Sequence, residues 1–140
     1  MRAYISGALM NVADLPAARA LYERLGAACV AAGYEAYVPH QHADPGRDPD
    51  MPNLEVAQRD LAQIAGADLL VAEIGEPSLG VGAEIVLALE GRKRVLALAA
   101  EGRRVSRFIL GLIELHPGQA EFVRYRTVDD ACIWLEGRCR

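Results

Sequence analysis

The chain has 140 residues, the size of one domain where domains typically run about 100–200 residues. Its 15 Lys and Arg against 19 Asp and Glu leave a formal charge of −4, which argues against a basic nucleic-acid groove and against a surface drawn to anionic membranes. Hydrophobic residues at 52% and charged residues at 24% describe a folding chain and not a disordered one, and no apolar run approaches the roughly 18–20 residues of a membrane span.

The N-terminus reads straight into a short strand, Arg2–Ser6, without the apolar core of a secretion signal, so a cytoplasmic location is expected. Asp14 is placed to cap a helix that tolerates Pro16 in its first turn and stops at Gly33. Glu35–Val38 reads as a second strand. Pro39–Pro52 is a long polar loop carrying His40 and His42, and loops of that length inside a compact domain are often functional. Asn53 is a candidate cap for a helix to about Ala65. Ala67–Ile74 is a mostly apolar run of strand length, which fits a strand buried on both faces. Gly75–Gly80 is a turn, Val81–Glu90 a helix ended by Gly91, and Arg94–Leu98 a fourth strand. Val105–Leu115 is an amphipathic helix stopped by His116-Pro117-Gly118. Phe122–Tyr125 is a fifth strand, and Thr127 caps a last helix to about Gly137 with Trp134 on its apolar side. Cys29, Cys132 and Cys139 form no Cys-x-x-Cys pair and read as reduced thiols, the first two as small core residues.

Strands alternating with helices imply right-handed βαβ crossovers and a parallel sheet. The expected fold is α/β: a single-domain, doubly wound, five-stranded sheet of order 2-1-3-4-5 with helices on both faces, flavodoxin- or Rossmann-like. Ligands of such sheets bind beyond the C-terminal strand ends where the strand order reverses. That rule selects two loops, Ser6–Asn11 and Gly75–Gly82.

The second loop carries the strongest local signal, Glu76-Pro77-Ser78-Leu79-Gly80-Val81-Gly82-Ala83-Glu84. Gly80 and Gly82 permit close backbone approach to a ligand. Ser78 stands before a helix start, where amides and the helix dipole favour an anion. Glu84 follows in the first turns, facing the strand ends. The plainer reading makes Ser78 a cap and Glu84 a dipole partner. A full Gly-x-Gly-x-x-Gly fingerprint is absent, because position 85 is Ile85. Asp60, beside Arg59, reads either as a second functional carboxylate or as part of a solvated helix face. Tyr4, mid-strand, reads as a core residue whose hydroxyl needs a partner.

The run from Val71 to Glu84, with Tyr4-Ile5-Ser6-Gly7, Asp60-Leu61 and the Ser106-bearing segment Gly102–Gly111, resembles the 2'-deoxynucleoside 5'-phosphate N-hydrolases within the nucleoside 2-deoxyribosyltransferase family. The resemblance spans most of the chain, and its specific part is Pro77-Ser78-Leu79-Gly80-Val81-Gly82-Ala83-Glu84. It implies an enzyme that cleaves the N-glycosidic bond of (2'-deoxy)nucleoside 5'-monophosphates. Glu84 would be the nucleophile, Asp60 the acid or base at the leaving nucleobase, and Tyr4 the residue that orients Glu84. Ser6, Gly7, Ser78, Gly80 and Gly82 would bind substrate, with Ser78 on the 5'-phosphate in place of the acidic residue that deoxyribosyltransferases use for a 5'-hydroxyl. A homodimer is implied, with Ser106 reaching the neighbouring site. No cofactor and no metal are implied, and the partner is the nucleotide, with neither nucleic-acid polymer nor membrane.

The chemistry fits those roles. An oxocarbenium-like state is stabilised or captured by one carboxylate, while a protonated group helps the base depart. Glu84 must be ionised and Asp60 protonated, so their environments should push their pKa values apart. Met10 stands where the nucleotide hydrolases offer an arginine for the phosphate, leaving Asn11, loop amides or Arg19 as substitutes. His40 and His42 are candidates for the base pocket; with Asp44 they also form a weaker metal candidate. A base-exchanging deoxyribosyltransferase and a non-catalytic nucleotide-binding module are the alternatives. A second free base, or binding without turnover, separates them.

Overall fold

The computed structural model describes residues 1–139. Five parallel strands, β1 (Arg2–Ser6), β2 (Glu35–Tyr37), β3 (Leu69–Glu73), β4 (Arg94–Ala100) and β5 (Ala120–Tyr125), form one sheet of order β2-β1-β3-β4-β5. The expected doubly wound order is therefore present. The helices are α1 (Leu15–Ala31), α2 (Asn53–Gly66), α3 (Leu79–Glu90), α4 (Arg107–Leu115) and α5 (Val128–Cys139). None of them is long and apolar enough to cross a membrane.

Every residue of β3 is buried, the apolar Leu69–Ala72 as their pattern predicts and Glu73 with its carboxylate bonded by the Gly75 N–H and the Tyr125 hydroxyl. Alternation sorts the strand side chains between two cores. Ala3, Ile5, Leu69, Val71, Leu96 and Leu98 pack with Leu25 and Cys29 of α1 and Leu135 of α5. Tyr4, Leu70, Ala72, Val95 and Ala97 pack with Ile64 of α2, Val81 and Ile85 of α3, and Ile113 of α4. Cys139 is buried with Cys29 and Cys132 in the first core, and all three thiols are free.

The ends of several elements differ from the sequence expectation. The third strand is shorter than Ala67–Ile74, while β4 runs on to Ala100 and β5 begins at Ala120. Small alanines give little strand signal, but pairing with neighbours, such as Ala100 opposite Tyr125, overrides propensity. Pro52, not Asn53, is the α2 cap, and no side chain caps that end. Helix α3 begins at Leu79, with Ser78 Oγ accepting the Val81 N–H at 3.3 Å. Helix α4 begins at Arg107, with Ser106 Oγ accepting the Ile109 N–H. Pro39–Gln41 forms a short 3-10 turn inside the expected loop.

Candidate active site

The site forms where β1 and β3 separate. Tyr4 and Ser6 are two residues apart on β1, so both point to the face covered by α3. The Tyr4 hydroxyl donates to Glu84 Oε1 at 2.8 Å, and Ser6 Oγ donates to Glu84 Oε2 at 2.5 Å. Both donors are buried and both carboxylate oxygens are occupied. Tyr4 is fixed in turn by stacking on Tyr37, with ring centroids 5.6 Å apart. A β-strand, a helix and two hydroxyls thus fix one carboxylate, the arrangement that holds a reacting group to a narrow range of positions.

Glu84 opens into a cleft of about 470 Å³ lined by Gly7, Met10, Asp60, Ser78 and Gly80 among others. Burial raises the Glu84 pKa, the Ser6 and Tyr4 hydrogen bonds lower it, and the neighbouring Asp60 charge raises it again, with a net upward shift. Burial likewise raises Asp60, against the opposing pull of Arg59 and the Tyr4 hydroxyl. Burial and the two negative charges also drive the Tyr4 phenol upward, so it stays a donor. The two carboxyls are therefore both shifted up. The asymmetry lies in hydrogen bonding. Glu84 accepts two bonds that favour its ionised form, whereas Asp60 Oδ1 is buried without a partner.

At the other end of the cleft stands the α3 N-terminus. Ser78 is its N-cap and lines the cleft. Its oxygen accepts from the helix, and a hydroxyl that accepts still has its proton to donate. Gly7 is required for space. A Cβ there would fall inside the ring of Tyr22, whose hydroxyl donates to the Ala8 carbonyl at 3.0 Å. Asn11 takes a left-handed φ of 56° in the same loop, a conformation asparagine tolerates.

The structure thus brings together Tyr4, Ser6, Gly7, Asp60, Ser78, Gly80 and Glu84. Gly82 and Ser106 lie on the other flank of Ser78, lining a second cleft with Arg104 and Ile109. His40 is elsewhere. The 3-10 turn carries its ring inward, where it is 2% exposed and bonded through Nε2 to Glu23 Oε1 at 2.9 Å. His42 stacks on Tyr37 at 4.5 Å, and Asp44 pairs with Arg19, so the three residues of the weaker metal candidate face different partners. Among the described residues no group of three or more His, Cys, Asp or Glu is arranged to hold a metal ion. Arg19 is not free for a phosphate, since its guanidinium binds Asp44 Oδ1 at 2.5 Å. Met10, 64% exposed, sits in the cleft where a cation was sought.

Sequence reasoning gave Ser6 to the substrate and missed its bond to Glu84; the alternation of Tyr4 and Ser6 on one strand was the available signal.

Comparison with known proteins covers nearly the whole chain. The nucleoside 2-deoxyribosyltransferase family model matches residues 4–132. A Thermofilum pendens protein provisionally named 2'-deoxynucleoside 5'-phosphate N-hydrolase 1 is 43% identical over 79 residues, 55% of this chain and 53% of that protein. A 5-hydroxymethyl-dUMP N-hydrolase from Tetraodon nigroviridis is 41% identical over 58 residues, 40% of this chain and 41% of that protein. The chain therefore spans about half or less of the length of these curated relatives in the matched stretches. In fold it is similar to a CMP N-glycosidase from Clostridium botulinum, with a TM-score of 0.74 at 20% identity over 99% of both chains. On the extent of the family match, the chain belongs to the nucleoside 2-deoxyribosyltransferase family.

Proposed function

We propose that this protein hydrolyses the N-glycosidic bond of (2'-deoxy)nucleoside 5'-monophosphates, releasing free base and (deoxy)ribose 5-phosphate through a covalent glycosyl intermediate on Glu84. The observation that carries the reading is the Glu84 carboxylate, held by Tyr4 and Ser6 and facing a cleft shared with Asp60. The names of the relatives, N-hydrolases of deoxynucleotides, support it.

In the first half-reaction a Glu84 oxygen forms a bond to the anomeric carbon. The carbon–nitrogen bond breaks with its electron pair on the base, and Asp60 gives the base its proton. In the second, Asp60 as carboxylate takes a proton from water, whose oxygen attacks the same carbon. The ester bond to Glu84 breaks, and the carboxylate is restored with net retention of configuration. Tyr4 and Ser6 hold Glu84 and share its charge. The 5'-phosphate lies at the α3 N-terminus, with Ser78 and the amides near Gly80 as donors. An acidic residue at position 78 would repel that dianion; a serine does not.

The working unit in this reading is a homodimer in which Ser106 of one copy reaches toward the other's cleft. Its support is an exposed apolar surface on α3 and α4, where Leu79 is 96% and Phe108 71% exposed.

The test is a panel of deoxy- and ribonucleoside 5'-monophosphates and the corresponding nucleosides, with free base followed by chromatography for wild type and Glu84→Ala. Release from monophosphates, lost in Glu84→Ala, is expected. Formation of a new nucleoside when a second free base is added would replace hydrolysis by transfer. Stabilisation by a monophosphate without base release would replace it by binding alone.

A further inference from the structure

Tyr37 carries a hydroxyl that the fold itself does not use. Its ring is half-buried and lines a groove of about 440 Å³ with Arg2, His42, Arg59 and Gln63. Its oxygen is buried and has no hydrogen-bond partner. Tyrosines near a surface ordinarily do the reverse, covering the ring and leaving the oxygen in water. A buried phenol without a partner costs free energy that a phenylalanine in the same place would not.

The stacking carries that oxygen toward Asp60. Tyr37 is the register partner of Tyr4 on the neighbouring parallel strand, so both side chains leave the sheet on one face. Their rings lie 21° from parallel with centroids 5.6 Å apart. His42 stacks on Tyr37 at 4.5 Å and 7°. The Tyr4 oxygen ends at Glu84 and within the pull of Asp60. A second phenol rooted beside it and nearly parallel to it ends beneath the same stretch of α2, where Arg59 and Asp60 follow one another. The electrostatics agree. Burial raises the Tyr37 pKa most, the Asp60 charge raises it further, and Arg59 lowers it.

Asp60 shows the complementary gap. It lines the Glu84 cleft, yet its Oδ1 is buried and unpartnered. The groups that face this carboxyl are Tyr4 on β1, Tyr37 on β2, Arg59 on its own helix and Glu84 on α3. Tyr4 is already committed to Glu84. Tyr37 is the hydroxyl with its proton still to donate.

The following rests on the hydrolase reading above, in which Asp60 gives a proton to the departing base and later takes one from water. We propose that Tyr37 is a positioning residue for Asp60: its hydroxyl donates to Oδ1 as Asp60 becomes a carboxylate, which leaves Oδ2 to exchange the proton with base and water. In the structure the two oxygens are not bonded to each other. A hydrogen bond to an ionised acceptor is roughly twice as strong as one between neutral groups, so ionisation of Asp60 is the event that favours closing it. Tyr37 acts through Asp60 and touches no substrate.

The test is Tyr37→Phe, which keeps the ring stack and leaves both hydrogen bonds of Glu84 in place. Base release should fall about 10- to 100-fold in kcat with KM within about twofold, because the lost bond forms only as the reaction proceeds. The alkaline limb of the kcat/KM profile should move to higher pH, since Asp60 without its donor keeps its proton longer. Thermal stability should be unchanged or higher, as an unpaired buried oxygen is removed. In an Asp60→Ala background, which has no acceptor, Tyr37→Phe should change the rate by less than about twofold. A kcat that does not fall, an alkaline limb left in place, or an equal loss with and without the Asp60 carboxyl would each overturn the proposal. Carbon-13 NMR titration of the Asp60 carboxyl reads the contact without turnover: its pKa should rise in Tyr37→Phe, and an unchanged value overturns the proposal. Wild-type protein that releases base from no monophosphate would instead overturn the catalytic reading, and the role given to Tyr37 with it, whereas an active wild type matched by Tyr37→Phe overturns this inference alone.

Discussion

Tyr4→Phe isolates what the strand–helix contact does for Glu84. The ring is fully buried and stacked on Tyr37, so phenylalanine fills the same space and only the hydroxyl is lost. That hydroxyl supplies one of the two bonds to the Glu84 carboxylate. A hydrogen bond to a charged acceptor contributes about 1.5–3 kcal/mol net, so kcat/KM should fall about 10- to 150-fold. The loss should also depend on pH. Burial already raises the Glu84 pKa, and the Tyr4 bond is one of two that oppose it. Removing it raises that pKa further, and a nucleophile that must be ionised then loses activity sooner as pH falls. The acid limb of the kcat/KM profile should move to higher pH, and the variant should be more impaired at about pH 6 than at about pH 8. The assay is base release from the best monophosphate of the panel across that range, with thermal unfolding as the control for folding. A Tyr4→Phe protein that keeps its rate within about twofold and its acid limb in place would refute the reasoning.

Three further substitutions address other parts of the argument. Asp60→Asn should slow base release by about 10²- to 10⁴-fold, the usual worth of a positioned acid or base. It should also stabilise the fold at neutral pH. The folded-state pKa of Asp60 is raised by burial, so the wild type is most stable, relative to the variant, below the ordinary carboxylate range and loses that advantage as pH rises through the raised value. Unfolding curves near pH 4 and pH 7 with the opposite trend would count against a desolvated Asp60. Gly7→Ala forces a Cβ into the Tyr22 ring and should cost about 1–3 kcal/mol in urea unfolding; a neutral result would mean that the loop after β1 yields easily. Arg19→Ala leaves the buried Asp44 carboxylate without its cation and should cost about 3 kcal/mol or more by the same measurement, whereas an Arg19 held in reserve for phosphate would show its effect in KM instead.

The architecture was legible because its signals are local and periodic. The apolar run Leu69–Ala72 inside β3 marks a strand covered on both faces, and βαβ handedness then leaves few topologies. What failed were boundaries. Ala99 and Ala100 carry weak strand propensity and belong to β4 because β5 pairs with them. Asn53 is a good capping residue by type, yet the chain turns at Pro52 and the asparagine becomes the first residue of α2. In both cases tertiary contacts decided what local preference left nearly balanced.

The candidate site divides along a similar line. Ser78 could be read as a cap or as an anion donor; the structure shows the cap, and capping does not exclude the other role, because a hydroxyl that accepts with a lone pair keeps its proton to donate. Tyr4 could be read as core or as functional, and its ring is core while its oxygen reaches Glu84, eighty residues away. His40 misled for the opposite reason. Its loop is polar, but the three-residue turn at Pro39–Gln41 sends the ring inward to Glu23, and nothing in the residue type reveals which side of a turn a side chain takes. Asp44, read with the two histidines as a weaker metal candidate, is instead a buried anchor of its loop, its Oδ1 accepting from Arg19 and from the Gly46 and Arg47 amides. A sequence can nominate a carboxylate; only the packing around it says whether it is spent on the fold or left facing a cleft.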